Sequence, residues 1–281
     1  MATDLGVLAL NLAAPTPAAA RGLLEYLWAR DEQVLVLSEV SRGEGSRLVL
    51  EVCRAAGYVV AVAPMQGRDR GVAVVVRDPG LSVGAAAYPS GPRVVRVPAG
   101  PVVVIGVYGA ASDPVRYSSA AQRERKRAWL RDFVGLAEAA AADPGPLLVA
   151  GDLNIVDPDD REGLPYVLLE ERDAYERLIA AGLVDAYRVA ALGGGGAGGS
   201  SGTRGSPRTV GNPGTGGCPG TGGIPSTGGS HVTWVDHSGV GCRYDHALGR
   251  GLDVLAAQID HHPREQGLTD HSALAVWLRA H

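Results

Sequence analysis

One large α/β domain is the architecture the sequence predicts, and three observations lead to it. Short runs of Val, Leu and Ile alternate with stretches of helical periodicity through most of the chain. The C-terminal part reads instead as several short strands in succession, as at the edge of a sheet. At 281 residues, 46% of them apolar, the chain can bury a sizeable core and stays within the range of a single α/β or β-sandwich domain. With one Phe and four Trp, that core must be built from Val, Leu, Ile and Ala.

Residues 5–12 read as a buried strand, and a helix follows with apolar positions at Leu23, Leu24, Leu27 and Trp28. A second buried strand, 34–37, runs into Ser38 and Glu39. Residues 44–56 are helical in pattern. Strands at 59–63 and 72–76 flank a polar loop that carries Gly67, Arg68 and Arg70. Strands 94–97 and 102–107 pair across a Pro-bounded turn. A long helix, 120–142, begins basic and ends in Ala, and Asp143, Pro144, Gly145 and Pro146 stop it. Residues 147–150 form a short strand ending in Gly151 and Asp152, and 167–182 a helix closed by Gly182.

Residues 193–230 are almost entirely Gly, Ser, Thr and Pro. Such a segment buries too little apolar area to offset its ordering entropy. It predicts a flexible surface insertion within a single domain spanning 1–281, because the residues after it are too few for a second one. Those residues give strands at 231–235, 244–248, 254–259 and 273–278.

A net charge of −4 and a pI near 6.0 exclude a protein that coats nucleic acid through general positive charge. They leave room for a local basic stripe beside metal-holding carboxylates. Cys53, Cys218 and Cys242 are odd in number and widely spaced. That suggests neither a disulfide framework nor a zinc site, and it predicts a reducing, cytoplasmic location. The apolar run at 7–14 is preceded by Asp4, interrupted by Asn11 and has no Lys or Arg before Arg21, so it reads as a strand rather than a leader. No stretch is suited to spanning a membrane, and a monomer is expected.

Polar residues recur where buried strands end. Asn11 lies in the first strand pattern, Glu39 follows the second, Tyr108 follows 102–107, Asp152 and Asn154 follow 147–150, and Asp270 and His271 precede the last. Strand ends let a rigid sheet aim side chains into one cleft. Glu39, Asp152 and Asp270 are hard oxygen donors suited to Mg²⁺ or Mn²⁺. Asn11 and Asn154 can orient a water or a phosphate oxygen without adding charge, while His271 and Tyr108 can donate to one. Phosphoester hydrolysis needs these parts. Each alone has a plainer reading: Glu39 as a solvated loop residue, residues 151–154 as a turn, Asp270 and His271 as a cap, Tyr108 as a plug at the core edge.

In this order, the segments resemble the exonuclease/endonuclease/phosphatase superfamily, in particular its exonuclease-III-like branch, almost end to end. The resemblance is carried by Leu10-Asn11, by residues 34–40 around Glu39, by Val107-Tyr108 with Lys126-Arg127-Ala128-Trp129-Leu130, and by Gly151-Asp152-Leu153-Asn154. Gly182-Leu183-Val184-Asp185-Ala186-Tyr187-Arg188, Thr233-Trp234, Arg243-Tyr244-Asp245-His246 and Thr269-Asp270-His271-Ser272 continue it.

The resemblance implies a four-layer α/β sandwich of two packed, mainly antiparallel sheets flanked by helices, as in DNase I. It also implies a metal-dependent phosphodiester hydrolase, an abasic-site endonuclease or 3′ exonuclease acting on DNA. A phosphatase or phosphodiesterase for a small phosphorylated substrate is the alternative. The roles it implies are Glu39 as principal metal ligand, with Asn11 and Asp270 completing the metal region. Asp152 orients and deprotonates the water, and Asn154 holds the nucleophile or a phosphate oxygen. His271, oriented by Asp245, binds the phosphate, and Tyr108 contacts it or assists the leaving group. One departure concerns substrate: Tyr108 is followed by Gly109, Ala110 and Ala111 in place of the family's proline-containing pattern.

Arg68, Arg70 and Trp234 are candidates for substrate binding, through phosphate contact and base stacking; for Trp234, core packing is an equal alternative. The run Arg123 to Arg127 reads as a solvated helix face. His261 and His262 read as surface or supporting residues, and Cys242 as inert packing.

Overall fold

A computed structural model describes residues 4–81, 86–87, 91–111, 119–158, 168–193, 231–235 and 241–281. The insertion expected at 193–230 lies, from 194 on, outside the described residues.

Two six-stranded sheets face each other, each built around one parallel pair. In the first sheet, β1 (Asp4–Asn11) and β2 (Val34–Ser41) run parallel, joined by α1 (Pro17–Trp28), because a parallel pair needs a crossover connection. After α2 (Glu44–Ala55), β3 (Val59–Val62) and β4 (Arg70–Val76) extend this sheet antiparallel beyond β2.

The second sheet repeats the plan. β5 (Ala86–Ala87) and β6 (Val94–Ala99) lead antiparallel into β7 (Val102–Tyr108). The long helix α3 (Ala120–Ala142) then returns the chain to β8 (Leu147–Asp152), parallel to β7. After α4 (Leu169–Ala180) come β9 (Val184–Asp185), α5 (Ala186–Gly193), β10 (Trp234–Val235) and β11 (Gly241–Cys242). β12 (Asp245–Arg250) pairs with both β8 and β9. β13 (Leu252–Asp260), α6 (His262–Glu265) and β14 (Ala273–Ala280) return to the first sheet, where β14 pairs with β1 and β13 forms the edge.

The layers follow from the side-chain alternation. Val7, Val36, Val74, Val104, Leu148 and Val276 point between the sheets. The opposite faces carry Leu8, Leu35 and Val75 against Leu23, Leu27 and Val49 of α1 and α2, and Ile105 and Val149 against Phe133 and Leu178 of α3 and α4. Each such fully buried Val or Leu contributes roughly 1.5–3 kcal/mol. At Gly106 the sheets come so close that a Cβ would lie 2.5 Å from Val74 Cγ2. This is the four-layer sandwich with mainly antiparallel sheets that the resemblance implies.

Two expectations change. The C-terminal strands do not form one sheet edge: β12 is interior to the second sheet, while β13 and β14 belong to the first. Residues 186–193 form a helix that the sequence reading left out, although its start signal was present. The Asp185 carboxylate accepts from Tyr187 N at 3.0 Å and Arg188 N at 3.2 Å, as a helix-capping residue does.

Candidate active site

Along the face between the sheets, every second residue is apolar until one end of the sandwich, where the same face turns polar. β1 places Val7 and Ala9 there and then Asn11; β2 places Val34 and Val36 and then Ser38; β8 places Leu148 and Ala150 and then Asp152. β12 enters from that end with Asp245 before Ala247, and β4 with Arg70 before Val72. The strand register sets Tyr108, Asp152 and Asp245 side by side across three neighbouring strands. The sandwich thus builds a polar floor from residues far apart in the chain.

Asp152 is the hub of that floor and is buried. Asn11 Nδ2 crosses from the other sheet to donate to Oδ2 at 2.8 Å, and Asn154 Nδ2 donates to the same oxygen at 3.0 Å. Asn154 N donates to Oδ1 at 2.9 Å. Ala13 N, donating to Asn11 Oδ1 at 2.8 Å, fixes which end of that amide faces Asp152. Two glycines make the approach possible. A Cβ at Gly151 would lie 2.2 Å from Val107 O, and one at Gly109 would lie 2.0 Å from Leu153 O. The second accounts for Gly directly after Tyr108: Gly109 O accepts from Asn154 Nδ2 at 3.2 Å, and no larger residue fits.

Beside Asp152, Asp245 Oδ2 and His271 Nδ1 are 2.8 Å apart, both buried. Thr233 Oγ1 accepts from Tyr244 N and Asp245 N at 3.0 and 3.2 Å, while Thr269 Oγ1 donates to Asn11 O at 2.7 Å and accepts from His271 N. These threonines bind the dyad to both sheets. Burial, together with the neighbouring charge of Asp245 and against the attraction of His271, pushes the Asp152 carboxyl up to about 6. Burial disfavours the charged ring of His271, but Asp245, followed by Asp152 and Asp270, outweighs it and lifts the ring to about 9. At neutral pH the floor therefore holds an ionised carboxylate and a protonated imidazole. Burial, then Asp152, raises the Tyr108 hydroxyl and keeps it protonated.

The rim is more open. Glu39 is the extra residue of a β-bulge between Ser38 and Val40, and its φ is +56°. Among the described residues, the non-glycine positions with positive φ are Ala13, Ala14, Glu39 and Asn154, all in the segments that shape this end of the sandwich. Holding them there costs conformational energy, which is typical of functional sites. The Glu39 carboxylate pairs with the Arg70 guanidinium. Arg93 lies 4.6 Å over the Tyr108 ring and donates to Gly109 O at 2.9 Å. Trp234 Nε1 donates to exposed Asp270 at 3.2 Å, so this Trp is half-buried rather than core. Arg68 is exposed in the loop before β4.

Of the residues singled out from sequence, Asn11, Tyr108, Asp152, Asn154, Asp245 and His271 come together on the floor. Glu39 with Arg70, and Asp270 with Trp234, form two separate pairs at the rim. Among the described residues, no group of three His, Cys, Asp or Glu converges as a ready-made metal nest.

Sequence reasoning missed the support beneath the floor. Fully buried Arg243 donates to Asp157 Oδ2 at 2.7 Å and Asp185 Oδ2 at 2.9 Å, and its NH1 lies 3.1 Å from His246 Nδ1. His246 Nε2 is 2.7 Å from Ile155 O. The segment after Asn154 is thereby tied to the strand that carries Asp245. Arg243 and Asp185 lie within segments that carry the resemblance, but their pairing is not written in their spacing. Lys126 corrects the solvated-face reading of the basic run. It is buried, pairs with Glu171 at 2.6 Å and donates to Asn154 O at 2.7 Å. His261 Nδ1 lies 2.8 Å from Ser272 Oγ, a supporting contact beside His271.

Two facing sheets with such a polar floor at the ends of their central strands define a DNase-I-like architecture, the class of phosphoester hydrolases. The model of the Endonuclease/Exonuclease/phosphatase family matches residues 8–271, and the chain belongs to that family. The family depends, in general, on a divalent metal. Among solved structures, the chain is similar to a variant of the Neisseria 3′ phosphatase NExo bound to a product DNA hairpin, with TM-score 0.70 and 18% identity over 97% of this chain and 98% of that one. It is similar to the 3′–5′ exonuclease NExo of Neisseria meningitidis, with TM-score 0.68 and 20% identity over 97% and 98%. It is also similar to an AP endonuclease from Archaeoglobus fulgidus, with TM-score 0.69 and 16% identity over the same shares. At these identities the likeness establishes a shared fold. No curated protein matches the chain significantly.

Proposed function

We propose that this protein is a divalent-metal-dependent hydrolase of DNA phosphoester bonds, of the abasic-site endonuclease or 3′ exonuclease type. The observation that carries the reading is the floor itself: Asp152 locked by Asn11 and Asn154, beside His271 locked by Asp245. One group accepts a proton and the other donates to an anion, which is the pairing that water attack on a phosphate requires. The three neighbours, described as a DNA 3′ phosphatase, a 3′–5′ exonuclease and an AP endonuclease, support DNA as the substrate.

The residues fit a hard cation. Glu39, Asn11 and Asp270 offer carboxylate and amide oxygens and no thiolate. Mg²⁺ keeps several waters and uses one or two carboxylates together with substrate phosphate, so Glu39 and Asp270 are a sufficient carboxylate supply for it. When bound, the metal supplies Lewis-acid polarisation of the phosphate. The chain does the rest. Asp152 takes the proton of the attacking water, and Asn154 orients that water or a phosphate oxygen. His271 donates to the phosphate, with Asp245 fixing its ring. Tyr108, held protonated, donates near the leaving oxygen. Trp234 at the rim suits a base, and exposed Arg68, in the loop that leads into Arg70, suits a backbone phosphate.

Cys53 and Cys242 are buried free thiols, and burial pushes the Cys53 thiol up to about 11, as befits packing residues rather than reactive ones. Among the described residues, no helix is long and apolar enough to cross a membrane.

The deciding assay sets purified protein with Mg²⁺ against abasic duplex, 3′-phosphorylated and single-stranded DNA, nucleotides and phosphorylated metabolites. Preferential cleavage of a DNA substrate is expected. Turnover confined to metabolites would overturn the DNA reading and leave the hydrolase class intact.

A further inference from the structure

We propose that Arg70 is a built-in counter-ion for Glu39, that a divalent cation displaces it, and that the displaced guanidinium then binds the substrate phosphate. This rests on the reading of Glu39 as a metal ligand. The Glu39 side chain is only 17% exposed and projects from a bulge residue in the left-handed region. The bulge sets the direction in which this side chain leaves the strand. A mostly buried carboxylate needs a cation beside it. Among the described residues, the charged partner of Glu39 is Arg70.

The two partners are unequal. Arg70 starts β4 opposite Ser41, and its side chain is 45% exposed, so it can swing outward at little cost. A divalent ion and a guanidinium on the same carboxylate repel each other, so one leaves as the other arrives. Once released, Arg70 offers a planar donor fork at the rim, a geometry that matches phosphate. Among the described residues, other cations beside the floor are committed: Arg93 to Gly109 O, Tyr108 O and the Tyr108 ring, Lys126 to Glu171 and Asn154 O, and Arg243 to Asp157 and Asp185. Arg70 is thus the cation positioned to move. By linkage, metal and phosphate each strengthen the other's binding, because the metal frees the group that the phosphate uses.

The test is calorimetric binding of Mn²⁺ to the full-length, metal-free protein, with and without inorganic phosphate. It compares wild type, Arg70→Gln, Arg70→Lys, Glu39→Gln and, as a control for general charge loss, Arg47→Gln on the exposed face of α2. Removing a competing, partly exposed ion pair should tighten Mn²⁺ binding about three- to fivefold in Arg70→Gln. Arg70→Lys should fall between, and Arg47→Gln should match wild type. Phosphate should tighten Mn²⁺ binding more in wild type than in Arg70→Gln. Equal or weaker Mn²⁺ binding by Arg70→Gln, or an equal gain in Arg47→Gln, would overturn the proposal. If wild type binds Mn²⁺ and Glu39→Gln does not, the metal reading stands even where Arg70→Gln changes nothing. If no form binds Mn²⁺, both fall.

Discussion

On the polar floor, Asp152, Asp245 and His271 are buried and each is held by partners from more than one element. At the rim, Glu39, Arg70, Asp270 and Trp234 are partly exposed and form simple pairs. The floor needs no ligand to be assembled, because burial makes unpaired polar atoms costly and the fold supplies partners for nearly all of them. Asp245 Oδ1 is the exception among these three residues, buried without a protein partner. The rim is exchangeable, since exposed pairs can trade one another for an incoming cation or phosphate. The difference separates what the fold fixes before substrate arrives from what the substrate and metal complete.

The largest expected effect breaks the floor at its hub. Asp152→Asn keeps the shape and removes the base, so turnover should fall by roughly 10²–10⁴-fold with KM little changed, as steady-state kinetics on the cleaved DNA substrate would show. A comparable loss seen only in KM would move Asp152 to substrate binding.

Beneath the floor, Arg243→Met removes the buried guanidinium that Asp157 and Asp185 share, leaving Asp157 to the partly exposed Arg188 and Asp185 to His246. A loss of about 3–5 kcal/mol in denaturant melts is expected. At the rim, Arg70→Met should cost less in the same melts, because water still reaches the Glu39 carboxylate, whose side chain is 17% exposed, and can take the place of the lost guanidinium. Equal losses would erase the distinction between floor and rim.

A smaller effect sharpens the electrostatics. In the metal-free protein, the His271 ring should titrate near 9, and Asp245→Asn should lower that value; NMR of the imidazole reads it directly. A histidine raised above 6.5 contributes stability fully present below that pH and lost as pH rises through about 9. Asp152, raised from 3.8 to about 6, likewise favours the folded state at low pH, and its contribution is lost as pH rises through about 6. Melts of metal-free protein should therefore show a decline between about 4 and 6 that Asp152→Asn removes.

Much of this arrangement was legible in the sequence, for a physical reason. Apolar alternation that ends in a polar residue, as at Ala9 to Asn11 or Ala150 to Asp152, marks where a strand leaves the core. The Asp152-Leu153-Asn154 turn, closed by Asn154 N on Asp152 Oδ1, is likewise a local feature. Less legible were contacts made only by tertiary pairing. The Asn11–Asp152 bond joins residues 141 apart, and the bulge that aims Glu39 exists only against β4. Lys126 read as solvated because a helix face turns inward only where another element, here the Asn154 loop and Glu171, supplies acceptors. Arg243 announced itself by nothing but its charge, and its carboxylates come from two other segments.

A cation at Glu39 is expected to complete a floor already set for hydrolysis. Single-turnover cleavage of an abasic DNA duplex, followed across a Mg²⁺ titration in wild type and Glu39→Gln, tests it most directly. The wild-type rate should rise to saturation with Mg²⁺ and vanish with chelator, and Glu39→Gln should be at least about 10²-fold slower at saturating metal, the scale of losing one electrostatic stabiliser. Cleavage that persists in chelator, or a Glu39→Gln rate close to wild type, would contradict the account.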